Sequence, residues 1–285
     1  MTEVLLLLVK IAVAVLILAI GMGATVADLT CVWRRPGLLL RSLLAMYVLV
    51  PLAALLLVKT WPLAPGVKAA LLVLAVSAGP PLLPRKLQRF GSNAYAFSLV
   101  VTSSLLAIVI VPAWFALLAW HFGVSTELAA IDVAQVMAKA FLLPLALGML
   151  LRAVAPTLSE RVADRVLALA GLGLTLARLA LLVLHWQLFS ALRGPGMAAL
   201  VVLLLLALAI GHLLGGPHPD DRTALAIACA TRYIGVAVIV ATAFRGPRTM
   251  VLLAAYIVAS AVVSIPHLQW RRRRTRAEEP MVKGA

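Results

Sequence analysis

The stretch Asp220-Asp221-Arg222-Thr223-Ala224-Leu225-Ala226-Ile227-Ala228-Cys229-Ala230-Thr231-Arg232-Tyr233-Ile234-Gly235-Val236-Ala237-Val238-Ile239-Val240 decides how the chain is read. From Thr223 onward it is apolar and long enough to cross a bilayer, which takes about 20 residues. Near its middle stand a guanidinium, Arg232, a phenol, Tyr233, and a helix-weakening Gly235. An Arg at that depth costs about 2.5–3.5 kcal/mol on insertion scales, so it faces protein or a water-filled cavity rather than lipid. A structural role would have Arg232 pair with a carbonyl or carboxylate to hold helices together. A functional role is favoured, because intramembrane ionisable groups mark substrate and ion paths by default.

Composition supports lipid as the solvent. Of 285 residues, 64% are hydrophobic and 12% charged, with a mean hydropathy of +1.09. A soluble domain is nearer half apolar and a quarter charged. The chain therefore reads as an all-α polytopic membrane protein, expected in the cytoplasmic (inner) membrane with the lipid bilayer as its first partner. Its net charge of +15 comes from short basic runs between apolar spans. That is the positive-inside pattern, and no nucleic-acid partner is expected. Cys31 and Cys229 lie far apart in apolar surroundings and indicate neither a disulfide nor a metal site. The ten acidic residues sit mostly in loops. No metal-ligand spacing, Gly-x-Ser-x-Gly or phosphate-binding glycine loop occurs, so no enzyme activity, cofactor or metal is expected.

Thr25-Val26-Ala27 could pass for a cleavage site, but Met1-Thr2-Glu3 lacks a basic n-region and Lys10 interrupts the apolar run. With Arg34 and Arg35 just beyond, this segment reads as a retained first helix. Nine spans are expected near Val4–Val26, Gly37–Lys59, Val67–Phe90, Asn93–Trp120, Ile131–Leu151, Val162–Leu184, Met197–Gly215, Thr223–Phe244 and Met250–Gln269. The tail Arg271-Arg272-Arg273-Arg274-Thr275-Arg276 places the C-terminus in the cytoplasm, with Arg34/Arg35, Arg85/Lys86/Arg89 and Arg161/Arg165 on the same side. Nine spans then put the N-terminus outside. Residues 1–270 form one transmembrane domain, and 271–285 a basic cytoplasmic tail.

A second span is also unusual: Leu71-Leu72-Val73-Leu74-Ala75-Val76-Ser77-Ala78-Gly79-Pro80-Pro81-Leu82-Leu83-Pro84-Arg85-Lys86. Its prolines each remove a backbone donor and clash with the preceding turn. Freed backbone groups at membrane depth are tolerated only in protein or along a cavity, so a re-entrant or unwound segment is expected from Gly79 to Pro84. Broken helices in the two halves of a transporter point to a site near the midplane.

Here the chain resembles the bile acid:sodium symporter superfamily, from about Leu18 to Pro266. The marks are Gly21-Met22-Gly23 with Asp28 and Pro36, Val50-Pro51, and Gly91 leading to Thr102-Ser103-Ser104-Leu105-Leu106 and Pro112. They continue with Lys139, Leu143-Pro144 and Gly148, then Gly211-His212-Leu213-Leu214-Gly215 and Asp221-Arg222-Thr223. The resemblance implies two inverted five-helix repeats, a panel and a core, and two core helices that unwind where they cross. Set against that pattern, nine spans are expected here, with the first of the ten helices missing. The family's sodium ligands are a Ser-Asn pair, then Ser and Thr, then a Glu followed by Gln-Asn. The matching positions here fall among Pro80–Pro84, at Ala96 and Val100, at Ala228, and at Arg232-Tyr233. A hard cation needs several oxygen ligands, so sodium coupling through these sites is not expected.

The expected function is a secondary transporter of a small organic anion by alternating access. Alternatives are a proton-linked or arsenite-type efflux carrier, and a membrane binding or sensor protein. The expected substrate-binding set is Arg232, Tyr233, Thr231, Gly79, Pro80, Pro81, Lys86, Ser103 and Ser104, with Lys86 also explicable as an inner-surface marker. Arg178 is assigned a structural role, His212 and His185 read as packing residues, and Lys139 has no assigned chemistry. Assembly with a second copy is left open.

Overall fold

Proline sets where many of the helices begin. The computed structural model describes residues 2–23, 30–77, 93–122, 130–184, 194–232, 255–256, 259–260 and 262–271. Within these run α1 (Thr2–Gly23), a 3-10 turn (Cys31–Arg34), α2 (Pro36–Leu44), a π segment (Ala45–Leu49) and α3 (Val50–Thr60). There follow α4 (Pro65–Val76), α5 (Asn93–Phe122), α6 (Ala130–Val154), α7 (Pro156–Leu184), α8 (Pro195–Leu214) and α9 (Pro219–Ala230). Residues 262–271 are helical as well, and no strand occurs among the described residues. Helices α2, α4, α7, α8 and α9 open on proline, which has no N–H to leave unsatisfied in a first turn. Asp220 and Asp221 add negative charge at the positive end of α9.

Among the described residues four runs are long and apolar enough to cross a membrane: Pro36–Thr60, Ala94–Leu118, Met137–Val154 and Pro195–Leu214. Large apolar side chains point outward in bands, including Leu143, Leu147 and Leu150 on α6 and Leu169, Leu172 and Leu176 on α7. In water such bands would drive aggregation; against lipid tails they are the solvent-facing surface.

Two of the expected spans are interrupted within the described residues. Helix α4 ends at Val76 and α9 at Ala230, each after 12 residues. At 1.5 Å per residue that is about 18 Å, well short of the roughly 30 Å hydrocarbon core. The segment from Gly79 to Pro84 lies outside the described residues. The π segment inside the second span was not anticipated from the sequence.

The helices fall into two groups. Helix α1 packs chiefly against α6 and α7, while α2 to α4, α8 and α9 pack chiefly among themselves, and α5, whose main partner is α6, joins the two groups. Glycine makes each crossing close. A Cβ on Gly21 would lie 2.5 Å from the Leu145 carbonyl oxygen, and one on Gly148 would run into the Leu18 carbonyl. Gly211 of α8 is pressed likewise against Leu225 and Ala226 of α9.

One end of the second group is knitted by charge. Arg35 pairs with Asp221 at 3.2 Å, and Arg271 with Asp220 at 3.5 Å. Arg271 Nε also donates to Thr223 Oγ1 at 3.1 Å, and Arg222 Nε to the Gly216 carbonyl at 2.5 Å. The segment after the first span, the α8–α9 connection and the end of the last helix therefore share one end of the bundle. Burial raises the Asp221 carboxyl above its ordinary range, and the Arg35 guanidinium opposes that shift.

Candidate functional site

The site begins with a proline in the middle of a span. Pro51 has no N–H to offer the carbonyl four residues back, Tyr47, or five back, Met46. Val50 N–H bonds five back, to Ala45, which is the π register. Two carbonyls in apolar surroundings thus need donors from elsewhere. Trp114 Nε1 of α5 supplies one, donating to Tyr47 O at 3.0 Å. Arg232 Nη1 supplies the other, donating to Met46 O at 3.2 Å.

Arg232 is delivered by the break in α9. Thr231 leaves the helix with extended backbone (φ −104°, ψ 118°). The hydroxyl of Tyr256, itself almost fully buried, closes the broken end. It accepts the Arg232 N–H and donates to Ala230 O at 3.2 Å. One side chain thereby satisfies two backbone groups that the break would otherwise leave bare.

The ends of the two 12-residue helices meet at a void with room for about one water. Leu74 and Ala75 come from α4, Cys229 and Arg232 from the end of α9, and Leu200, Leu203, Leu204 and Ala207 from α8. Val50 and Tyr256 complete the wall. Arg232 is only 3% exposed. Among the described residues its Nη2 has no hydrogen-bond partner and it forms no ion pair. A buried guanidinium with one arm on a carbonyl and one arm free can receive an anion.

Of the residues expected from sequence, Arg232 lines this void and Thr231 shapes its approach. Ser103 and Ser104 are buried on α5 but are not among the lining residues. Ser103 Oγ donates to Val100 O at 3.1 Å, and its carbonyl accepts the Tyr47 hydroxyl, so it braces the residue beside Met46. Ser104 Oγ is buried without a hydrogen-bond partner. Tyr233, Gly79, Pro80, Pro81 and Lys86 lie outside the described residues, as do His185 and the Arg178 side chain. Lys139 is exposed. His212 packs edge-on against His267 with ring centres 5.6 Å apart.

Sequence reasoning missed Tyr256, Met46 and the role of Pro51. A proline in mid-span was a usable signal, since it must free a carbonyl. A single hydroxyl in an apolar span was another, since buried tyrosine hydroxyls find partners.

Of the positions that the resemblance aligns with sodium ligands, three are apolar and described. Ala96, Val100 and Ala228 are fully buried. Two neighbouring hydroxyls on α5 are engaged in holding the 3-10 turn. Ser98 Oγ accepts the Val32 N–H at 2.9 Å, and Thr102 Oγ1 accepts Trp33 Nε1–H at 3.0 Å.

The model of the Sodium Bile acid symporter family matches residues 10–192, more than half of the chain. The chain belongs to that family. Membership in the Sodium Bile acid symporter family implies a secondary transporter and a multi-pass membrane protein; members are transporters, not enzymes. The matched span ends before α8, α9 and Arg232. No curated protein matches the chain.

Proposed function

We propose that this chain carries a small organic anion across the cytoplasmic membrane by alternating access, without sodium coupling through the family's sites. The observation that carries the reading is Arg232. It stands in a void between the ends of α4 and α9, buried, with Nη2 free. The guanidinium offers the fixed positive charge that an anion needs, and the free arm leaves a donor for a carboxylate oxygen. Thr231, Tyr233, the Gly79–Pro81 stretch and Lys86 would complete the path on either side. Ser103 would tune it from behind Tyr47.

The α1, α6 and α7 group would act as the panel and the remaining helices as the core. The absence of side-chain oxygen at Ala96, Val100 and Ala228 supports a carrier without a sodium requirement. The positive-inside bias supports a cytoplasmic C-terminus. Uptake of a panel of labelled organic acids into proteoliposomes tests the reading. At least one acid should enter saturably through the wild type and fail to enter through Arg232→Gln.

An arsenite-type efflux carrier is the second reading, favoured by Cys229, a thiol in the wall of the same void. It requires Cys229→Ser to abolish protection of cells from arsenite.

A further inference from the structure

We infer that Arg232 takes a small monovalent anion of halide size, such as chloride, as its resident counter-ion, seated in the void at Nη2. A buried cation costs several kcal/mol unless it is paired. Among the described residues Arg232 has one neutral partner, the Met46 carbonyl on Nη1, and forms no ion pair. Among these residues Nη2 is buried without a hydrogen-bond partner. The guanidinium cannot escape the cost by losing its proton, because arginine stays charged in proteins. Nor does it snorkel, since the residue is 3% exposed and Nη1 is held on the Met46 carbonyl.

The dimensions of the void select the anion. It has room for about one water, so a one-atom anion enters without parting the helices. A carboxylate with a carbon body needs the helix ends to part, so a transported acid would displace the halide only in a conformation that opens the void. The rest of the wall suits a weakly hydrated monoanion. It is largely aliphatic, from Leu74, Leu200, Leu203 and Ala207, with the Cys229 S–H as a weak donor. The Tyr256 hydroxyl is already bonded to Ala230 and Arg232 and adds no competing negative charge.

The site stands on this geometry whether or not the chain transports organic acids. Purified protein is melted in sodium chloride, sodium bromide and sodium gluconate at one pH and ionic strength. The melting temperature should rise saturably with chloride or bromide replacing gluconate, as expected for a ligand that binds only the native state. Arg232→Gln should lose that shift. Should this variant fail to fold, Ala207→Leu serves instead: it fills the void, keeps the guanidinium and should also lose the shift. Crystals grown in bromide should show an anomalous peak at Arg232 Nη2. Equal melting of the wild type in chloride and gluconate would overturn the site, as would an undiminished chloride shift in Arg232→Gln. Organic-acid flux with no halide response would remove the counter-ion site and leave the transport reading. A halide response with no flux would do the reverse.

Discussion

Replacing Arg232 with Gln separates a functional guanidinium from a structural one, and the structure supplies the sizes of the terms. The native side chain makes one charge-assisted hydrogen bond, to Met46 O at 3.2 Å. Losing it leaves a buried carbonyl short of a donor, at a cost of about 1–3 kcal/mol. Against that, the substitution removes a buried charge that has no carboxylate partner among the described residues, a relief of several kcal/mol per ion. The two terms oppose each other, so in halide-free buffer Arg232→Gln should melt close to the wild type or slightly above it. Transport should behave differently. Removing one partner of a buried charged pair costs about 2–5 kcal/mol of binding, which is about 30-fold or more in affinity. The assay is melting temperature and organic-acid uptake measured on the same preparation. Arg232→Lys keeps the charge without the planar fork and should retain only part of the activity. Full uptake by the Gln variant would make Arg232 a bystander. A folding defect in both variants would mean that the side chain holds the crossing together.

Tyr256→Phe should be more damaging to stability than Arg232→Gln, because it strips partners from both Ala230 O and the Arg232 N–H; about 2–6 kcal/mol follows from two buried unsatisfied groups, read as a lower melting temperature. Gly148→Ala should weaken folding by about 1–3 kcal/mol through overpacking against α1, checked by yield and melting. Replacing sodium by potassium, with the anion held constant, should leave melting and uptake unchanged; a saturable sodium-specific shift would show that backbone carbonyls rebuild a cation site. Asp221, ahead of the span at Thr223, has its folded pKa raised by burial. Its contribution is therefore most favourable below the ordinary aspartate range and is lost as pH rises through the raised folded value. Asp221→Asn should flatten that fall in a melting-versus-pH series.

Much of this architecture was legible in the chain. The long apolar runs pointed to membrane spans, four of which are long enough to cross among the described residues, whereas the prolines that open α2, α4, α7, α8 and α9 were not read as start signals. A guanidinium in the eighth span announced a cavity, because lipid would exclude it. The partner of that guanidinium was not legible. Met46 offers only its carbonyl, a group every residue carries, and it became an acceptor because Pro51 lacks an N–H. Tyr256 lies far along the chain from Arg232, and only packing brings its hydroxyl to the break. Ser103 and Ser104 looked like site residues because they are polar in an apolar span. Ser103 instead satisfies the Val100 carbonyl on its own helix.

Counterflow in proteoliposomes tests the central claim most directly. Vesicles are loaded with an unlabelled organic acid that raises the melting temperature of the purified protein, and entry of the labelled acid is followed without any sodium present. Transient accumulation of label through the wild type, absent with Arg232→Gln, is the predicted result. No accumulation for any acid that binds, or accumulation only with an inward sodium gradient, would contradict the account.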